Sequence, residues 1–424
     1  MIERHETILG PPGTGKTQTN SNMIRECIEL GISPDRIACV SFTRKAAQES
    51  RERVSRDWGI DEKDMPYFQT LHSMAFRSGG YNTDDVMGPK DLKIIGREVG
   101  IPFGSMGRGF ADSDLDTLGP AKGDFYLGQY HLSRSMCLEL EEMHRQLSDY
   151  SVSWPELRRL VSAYESYKKA HKKIDFTDMI VNFVKSGICP DIEALFVDEA
   201  QDLSTLQWSM VDVLRKRPRI QIFTGDDDQA IMAFQGADVG AFLGATEKKT
   251  VLKQSYRLPR AVWQEAQNIV SRIEGRAPKT WHPKDEEGLV RFHNNVWDVP
   301  FEDGEWCLMA RTNRIANDVA TSLREEGWVY SRNGKPSIPG KTYEALTDWE
   351  EWSKGHALEG AKVRNIYSFL ELGTGYSRGF GARSNALLSL SAEDTVTMSE
   401  AQDRLGLLLD GSVRWHQALK KIDV

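Results

Sequence analysis

The chain has 424 residues, with 54 Lys and Arg against 62 Asp and Glu and a formal net charge of −8 at pH 7. That length predicts about three domains, the hydrophobic share of 40% is enough to fill real cores, and no apolar run approaches the ~20 residues that span a bilayer. The charge excludes a uniformly polycationic binder but not one with a local basic groove, while five cysteines without C-x-x-C spacing argue for free thiols and against a zinc site.

Thr7-Ile8-Leu9 reads as a short strand and Lys16 to Leu30 as a helix. Between them, Gly10-Pro11-Pro12-Gly13-Thr14-Gly15-Lys16-Thr17 is a complete G-x-x-x-x-G-K-[ST] phosphate-binding loop, and no signal peptide is expected before it. Its glycines let backbone N–H groups turn toward a polyphosphate, Lys16 can reach β- and γ-phosphates, and the Thr17 hydroxyl can hold Mg²⁺. The helix N-terminus would face the anion. Ile37 to Val40 is the next apolar strand and runs into Ser41-Phe42-Thr43.

Residues from about 75 to 190 interrupt this pattern as an inserted, mostly helical subdomain. Gly100 to Gly128 is rich in Gly, Asp and Ser without periodicity, and reads as a long mobile loop. Ser153-Trp154-Pro155-Glu156 reads as a capping box, with Leu157, Leu160, Val161, Tyr164 and Tyr167 following at helical spacing. The run Lys168 to Lys173 closes that helix, either as a solvated end or as a contact for DNA phosphates.

Two further apolar strands end in acidic turns. Ala194 to Val197 runs into Asp198-Glu199-Ala200-Gln201-Asp202, and Ile220 to Phe223 into Thr224-Gly225-Asp226-Asp227-Asp228-Gln229. Such strands suit a parallel sheet covered on both faces, in which ligands gather at the carboxyl ends. Beside a phosphate loop, Asp198 suits Mg²⁺ and Glu199 suits activation of a water. Clustered carboxylates such as Asp226–Asp228 must be solvated or lie near a cation, and Gln229 can touch a γ-phosphate. After the strand Thr250-Val251-Leu252, Gln254-Ser255-Tyr256-Arg257 offers a ring that can stack on a base and a guanidinium for developing charge. Beyond about residue 260 a Trp-rich connector carries Pro278, Pro283 and Pro300. Trp306 to Ala310 reads as the first strand of a second domain, Ile315 to Glu326 as a helix, and the chain from about 345 as helical with a Gly-rich loop at Gly373 to Gly381.

In this order the phosphate loop, Ser41 to Ala47, Gln69-Thr70-Leu71-His72-Ser73, Asp175-Phe176-Thr177-Asp178, Asp198–Asp202, Gly225–Ala237, Gln254–Arg257 and Arg311-Thr312-Asn313 resemble superfamily 1 DNA helicases of the UvrD/Rep/PcrA type, over roughly residues 6–335. The resemblance implies a RecA-like P-loop NTPase: an α/β parallel sheet with inserted helical subdomains and a partial second RecA-like domain. The implied first domain is 1–75 with 175–260, interrupted by the helical subdomain 76–174. Residues 261–344 would start the second domain, and 345–424 would be a further helical insertion. ATP and Mg²⁺ are the implied cofactors, with Gly10 to Thr17, Tyr256, Asp198 and Glu199 around them and Gln229 and Arg257 at the γ-phosphate. Phe42, Thr43, His72 and Phe234 match positions that touch single-stranded DNA, where aromatic faces stack bases without sequence preference. The implied activity is ATP-dependent 3′-to-5′ translocation and unwinding, on single-stranded DNA or a duplex with a single-stranded tail, in repair or replication. A bacterial cytoplasm, or host cytoplasm for a phage protein, is the implied location.

The departures also carry expectations. No glutamine-bearing adenine motif precedes residue 6, Gln18 stands where relatives often carry Arg, and Met232 and Gln235 replace the usual Tyr and Arg. The late H-x-x-K-G-x-E and T-R-A segments are not found, and the sequence stops within the helical stretch Arg414 to Ile422. A fragment of a longer helicase is expected in preference to a degenerate relative, binding ATP–Mg²⁺ but hydrolysing slowly and without unwinding. An ATP-dependent DNA-binding module, the motor of a helicase–nuclease and a P-loop phosphotransferase are the rival readings.

Overall fold

The computed structural model describes residues 3–104, 121–147, 152–301, 304–332, 334–338, 340–369, 391 and 393–400. The chain divides into two compact units, residues 1–292 and 293–424.

In the first unit β1 (Arg4–Leu9) leads into α1 (Lys16–Glu29), β2 (Ile37–Ser41) into α2 (Arg44–Trp58), and β3 (Phe68–Thr70) directly into α3 (Leu71–Ser78). The inserted helices are α4 (Pro89–Val99), α5 (Lys122–Ser135), α6 (Leu140–Leu147) and α7 (Trp154–His171). The chain then continues through α8 (Phe176–Ser186), β4 (Ala194–Asp198), α9 (Thr205–Leu214), β5 (Ile220–Gly225), α10 (Val239–Gly244), β6 (Lys249–Val251) and α11 (Arg260–Val270). The six strands form one sheet in the order β3-β2-β4-β5-β1-β6, with every neighbouring pair parallel. Ser41 is in register with both Thr70 and Asp198, and Leu9 with both Gly225 and Val251, so the strand carboxyl ends share one edge.

Successive strand residues face opposite sides of a sheet, and here both sides are apolar. Ala38, Val40, Leu195, Val197 and Phe223 join one core with residues of α3, α8, α9 and α10. Ile37, Cys39, Ala194, Phe196, Ile220 and Ile222 join a second with residues of α1 and α2. The α/β parallel sheet expected from the sequence is the observed fold. β3 was legible only as part of a motif, since three residues carry no periodicity.

The inserted helices build a third core from Leu92, Ile95, Tyr126, Leu127, Leu157, Leu160 and Tyr164. Three expectations change here. The loop expected over 100–128 gives way to α5 at Lys122, while 105–120 lie outside the described residues. Gly123 serves close packing inside that helix, where a Cβ would stand 2.8 Å from the Pro102 carbonyl oxygen. Ser153 is the N-cap of α7 but makes no side-chain cap bond. Glu156 turns instead to the Tyr126 hydroxyl (2.8 Å) and Lys122 (2.7 Å). Lys168 is neither solvated nor free for DNA: it is 4% exposed and bonded to Asp175 and Asp178, each at 2.8 Å.

The second unit contains α12 (Asn313–Glu325), the antiparallel pair β7 (Ser331–Arg332) and β8 (Lys335–Pro336), α13 (Gly340–Ser353), β9 (Leu358–Glu359), α14 (Gly360–Phe369) and β10 (Thr395–Val396), which pairs antiparallel with β9. Ala345, Leu346, Trp349, Trp352, Val363 and Ile366 are buried, and Trp352 Nε1 donates to the Val396 carbonyl at 2.9 Å. The strand expected at Trp306 to Ala310 is not formed: the segment has irregular backbone, and Leu308 and Met309 are exposed. Gly373 to Gly381 and Arg414 to Ile422 lie outside the described residues. No helix among the described residues is long and apolar enough to cross a membrane.

Candidate nucleotide-binding site

The loop from Gly10 to Thr17 leaves β1 beside β5 and β6 and enters α1 at Lys16. Its shape is fixed internally and from outside. Thr14 Oγ1 donates to the Pro11 carbonyl at 2.7 Å, and Gly10 N–H donates to the Gly225 carbonyl at 2.8 Å. The turn at 254–257 clasps its far side: Ser255 Oγ donates to the Pro12 carbonyl (2.8 Å) and Tyr256 N–H to the Gly13 carbonyl (2.8 Å). Gly13 is required twice, by its φ of +71° and by Arg257, whose Cβ would lie 2.3 Å from an added Cβ. The Tyr256 ring is 76% exposed beside this clasp, and Arg257 is exposed too.

Lys16 Nζ donates to the Gly10 carbonyl at 3.1 Å and lies 3.6 Å from Glu199 Oε1. Thr17 is half-buried in the first turn of α1. Asp198 ends β4 and is buried. Asn20 Nδ2 donates to its Oδ1 at 3.3 Å, and Thr224 Oγ1 donates to Asn20 Oδ1 at 2.6 Å. Burial, and then the Glu199 charge, push the Asp198 carboxyl up to about 6, with Lys16 pulling the other way. Burial and Glu199 also push Asp202 up to about 6. Glu199 itself has φ +49°, a left-handed conformation rare outside glycine.

The three carboxylates Asp226–Asp228 follow β5 and are met by one buried and one half-buried cation rather than by solvent. Lys279, its side chain 0% exposed, contacts Asp226 and Asp227 at 2.6 Å each and Asp228 at 2.8 Å. Arg276 grips Asp228 with two bonds of 2.8 and 2.6 Å, and Ala277 N–H donates to Asp227 at 2.7 Å. Gln229 Nε2 donates to Asp226 Oδ2 at 2.6 Å. Sequence reasoning gave no role to Gln201 and Ser255, which stand inside its motifs, and missed Asn20, Arg276 and Lys279. For the two cations a signal existed, since three adjacent acids at a buried strand end demand buried positive charge. Their position, some fifty residues on, had no motif to mark it.

The structure therefore brings the phosphate loop together with Asp198, Glu199, Tyr256 and Arg257, with Gln229 in the next turn along the same sheet edge. Phe42 and Thr43 follow β2. Phe42 is half-buried against the sheet core, and Thr43 caps α2, accepting from Ala46 N–H at 3.1 Å. His72 opens α3 with its ring edge-on to Phe176, 6.1 Å between centroids. Phe234 is 58% exposed in the turn Ala233–Gln235.

A parallel sheet with a phosphate loop after a central strand and an acidic pair ending its neighbour's neighbour defines a RecA-like P-loop domain. The UvrD/REP helicase N-terminal domain matches residues 2–250, and the chain belongs to this family. It is 25% identical over 362 residues to the ATP-dependent DNA helicase PcrA of Leuconostoc citreum, covering 77% of this chain and 47% of that protein. The PcrA of Bacillus subtilis (strain 168) is 25% identical over 359 residues, 79% of this chain and 46% of the relative. That of Staphylococcus aureus (strain Mu50 / ATCC 700699) is 23% identical over 351 residues, 77% and 44% respectively. The chain spans about half the length of the curated relatives it matches.

Proposed function

We propose that this chain carries the ATP-binding motor of a DNA translocase that moves 3′-to-5′ on single-stranded DNA, or on a duplex with a single-stranded tail. One observation carries the reading: Lys16 stands 3.6 Å from Glu199 on a phosphate loop that Ser255 and Tyr256 clasp from the far side. The relatives named ATP-dependent DNA helicase support it.

In this reading the triphosphate of ATP lies on residues 10–17 with Lys16 at its β- and γ-phosphates. Tyr256 stacks on the adenine, and Gln229 and Arg257 meet the γ-phosphate. Glu199 orients the attacking water and accepts its proton. Thr17 and Asp198 would hold Mg²⁺. Both are hard oxygen donors, and a carboxyl that burial and a neighbouring carboxylate have raised to about 6 gains from a nearby dication. Mg²⁺ there would neutralise charge on the phosphate oxygens. Phe42, Thr43, His72 and Phe234 form the DNA side of the same sheet edge, and opening and closing of the nucleotide site would drive steps along the strand.

A second reading, nucleotide-dependent DNA binding without unwinding, is favoured by Gln235. It stands where the family usually has Arg, is 7% exposed, and offers no cationic side chain to a phosphate backbone. Steady-state ATP hydrolysis with and without single-stranded DNA, with Lys16→Ala as the blank, separates the two. Strong DNA stimulation that Lys16→Ala abolishes supports the motor. Lys16-dependent nucleotide binding with negligible, DNA-independent turnover supports the second reading, and absence of Lys16-dependent binding sinks both.

A further inference from the structure

Gln201 lies in the turn Ala200–Asp202 and is 2% exposed. Both ends of its amide are used. Nε2 donates to Glu199 Oε2 at 2.9 Å and to Asp202 Oδ2 at 3.2 Å. Oε1 accepts from the Asp226 backbone N–H at 3.1 Å. Asp226 in turn accepts at Oδ2 from Gln229 Nε2 at 2.6 Å and is held at Oδ1 by Lys279. Two side chains thus connect Glu199 to Gln229 with hydrogen bonds at every joint. The surrounding space is closed: a Cβ on Gly225 would stand 2.4 Å from Gln201 Oε1 and 2.9 Å from Phe242 Cζ. Only a glycine before Asp226 lets the amide reach that N–H.

We propose that Gln201 is a positioning residue that sets the loop 225–229 in register with the turn 198–202, so that Gln229 stands at the γ-phosphate while Glu199 is held for the water. This rests on the nucleotide-binding function proposed above. The chemistry selects glutamine. The donor end must serve two carboxylates and the acceptor end a buried backbone N–H, which one amide does and neither a carboxylate nor an apolar chain does. A Glu at this position keeps the acceptor for Asp226 N–H and loses the donor. A Met fills similar volume and keeps neither. Coupling through such a joint is a property of the two loops together, and double-mutant cycles measure it.

The test uses the full chain and equilibrium binding, so it does not depend on turnover. Competition against a fluorescent ADP gives the preference for ATPγS over ADP in the wild type, Gln201→Met, Gln201→Glu, Gln229→Ala and the double variant Gln201→Met/Gln229→Ala, with a thermal melt of each. Gln201→Met and Gln229→Ala should each cut the preference about fivefold, the effect of one net hydrogen bond, and the double variant should lose no more than either. Gln201→Glu should retain the preference although it melts lowest, because it adds a buried charge beside Glu199 and Asp202. A packing role gives the opposite order, with preference tracking melting temperature. That order, multiplicative losses in the double variant, or a wild type without ATPγS preference overturns the proposal. Should Gln201→Met fail to fold, a folded Gln201→Glu that has lost the preference overturns it alone. Binding that does not depend on Lys16 sinks the functional reading itself, whereas Lys16-dependent binding with unchanged preference in Gln201→Met sinks only this inference.

Discussion

Glu199 holds a backbone conformation that costs a non-glycine residue about 1–3 kcal/mol, and the cost falls on the side chain proposed to activate water. The two neighbouring carboxyls, Asp198 and Asp202, are raised by burial and by Glu199's own charge, so three acids crowd one turn around a single lysine. Removing the Glu199 charge relieves that crowding without touching the phosphate loop. Glu199→Gln should therefore lower kcat by about 10²–10⁴-fold, the range for loss of a positioned base, while nucleotide affinity is kept. Steady-state turnover beside equilibrium nucleotide binding checks this, and a matching loss of affinity would place Glu199 in binding instead. Gly13→Ala acts on the opposite property. It forces a Cβ into a left-handed turn and against Arg257, so affinity should fall about tenfold for roughly 1–2 kcal/mol of strain. At this scale the phosphate loop and the acidic pair were legible because their chemistry is local in sequence. Gln201 stands within a legible motif, but its bond to the Asp226 N–H depends on a strand register that no single segment encodes.

Between elements, α7 and α8 meet in a buried charge cluster. Arg134 of α5 contacts Asp175 at 3.0 Å and Asp178 at 2.6 Å, Lys168 of α7 contacts both acids, and the Tyr164 hydroxyl donates to Asp175. Asp175 and Asp178 also form the capping box of α8. The run Lys168 to Lys173 looked like a surface patch because charge runs normally are. Here its first member is drawn inward by two acids that follow seven and ten residues later. The same cluster sets an acid limit. Burial raises the Asp175 carboxyl, but His131, Arg134 and Lys168 outweigh it and leave it well below the usual range. A depressed carboxyl contributes stability above its unfolded pKa near 3.8, and that stability is lost as pH falls below it. Buried His131 is likewise held below the ordinary histidine range, first by burial, so its protonation on acidification also lowers stability. Because the raised carboxyls of Asp198 and Asp202 gain protons, and with them stability, as pH falls through about 6, the cluster's contribution is read as the difference between the melts of the wild type and Arg134→Met, which should narrow as pH falls below the unfolded carboxyl value near 3.8. Arg134→Met should cost about 3 kcal/mol at neutral pH, as removal of one partner from a buried pair does; an unfolding free energy from urea denaturation that falls by less than a third of that would assign the cluster to the surface.

For the whole chain, the change in composition near residue 260 suggested a domain boundary there, yet the interactions carry the first unit on to Phe292. The reason is chemical. Asp226, Asp227 and Asp228 are supplied with positive charge by Arg276 and Lys279, which lie beyond that point. Trp281 is buried, and His282 donates its N–H to the Lys253 carbonyl (2.7 Å) and accepts from the Ser255 N–H (2.8 Å), bracing the turn that clasps the phosphate loop. The stretch from 276 to 284 therefore completes the proposed nucleotide site although it carries no motif. Two truncations separate these views. Residues 1–292 contain the whole six-stranded sheet with both of its cores, and should melt cooperatively and bind nucleotide in a Lys16-dependent way. Residues 1–260 leave three carboxylates at a buried strand end without their cations, each uncompensated buried charge costing about 3–5 kcal/mol, and should fail to reach a cooperative melt. Lys279→Met in the full chain should show a loss of that same size by urea denaturation. A 1–260 fragment that folds and binds nucleotide as tightly as 1–292 would show that the acids find solvent instead, and would return the boundary to the place the composition suggested.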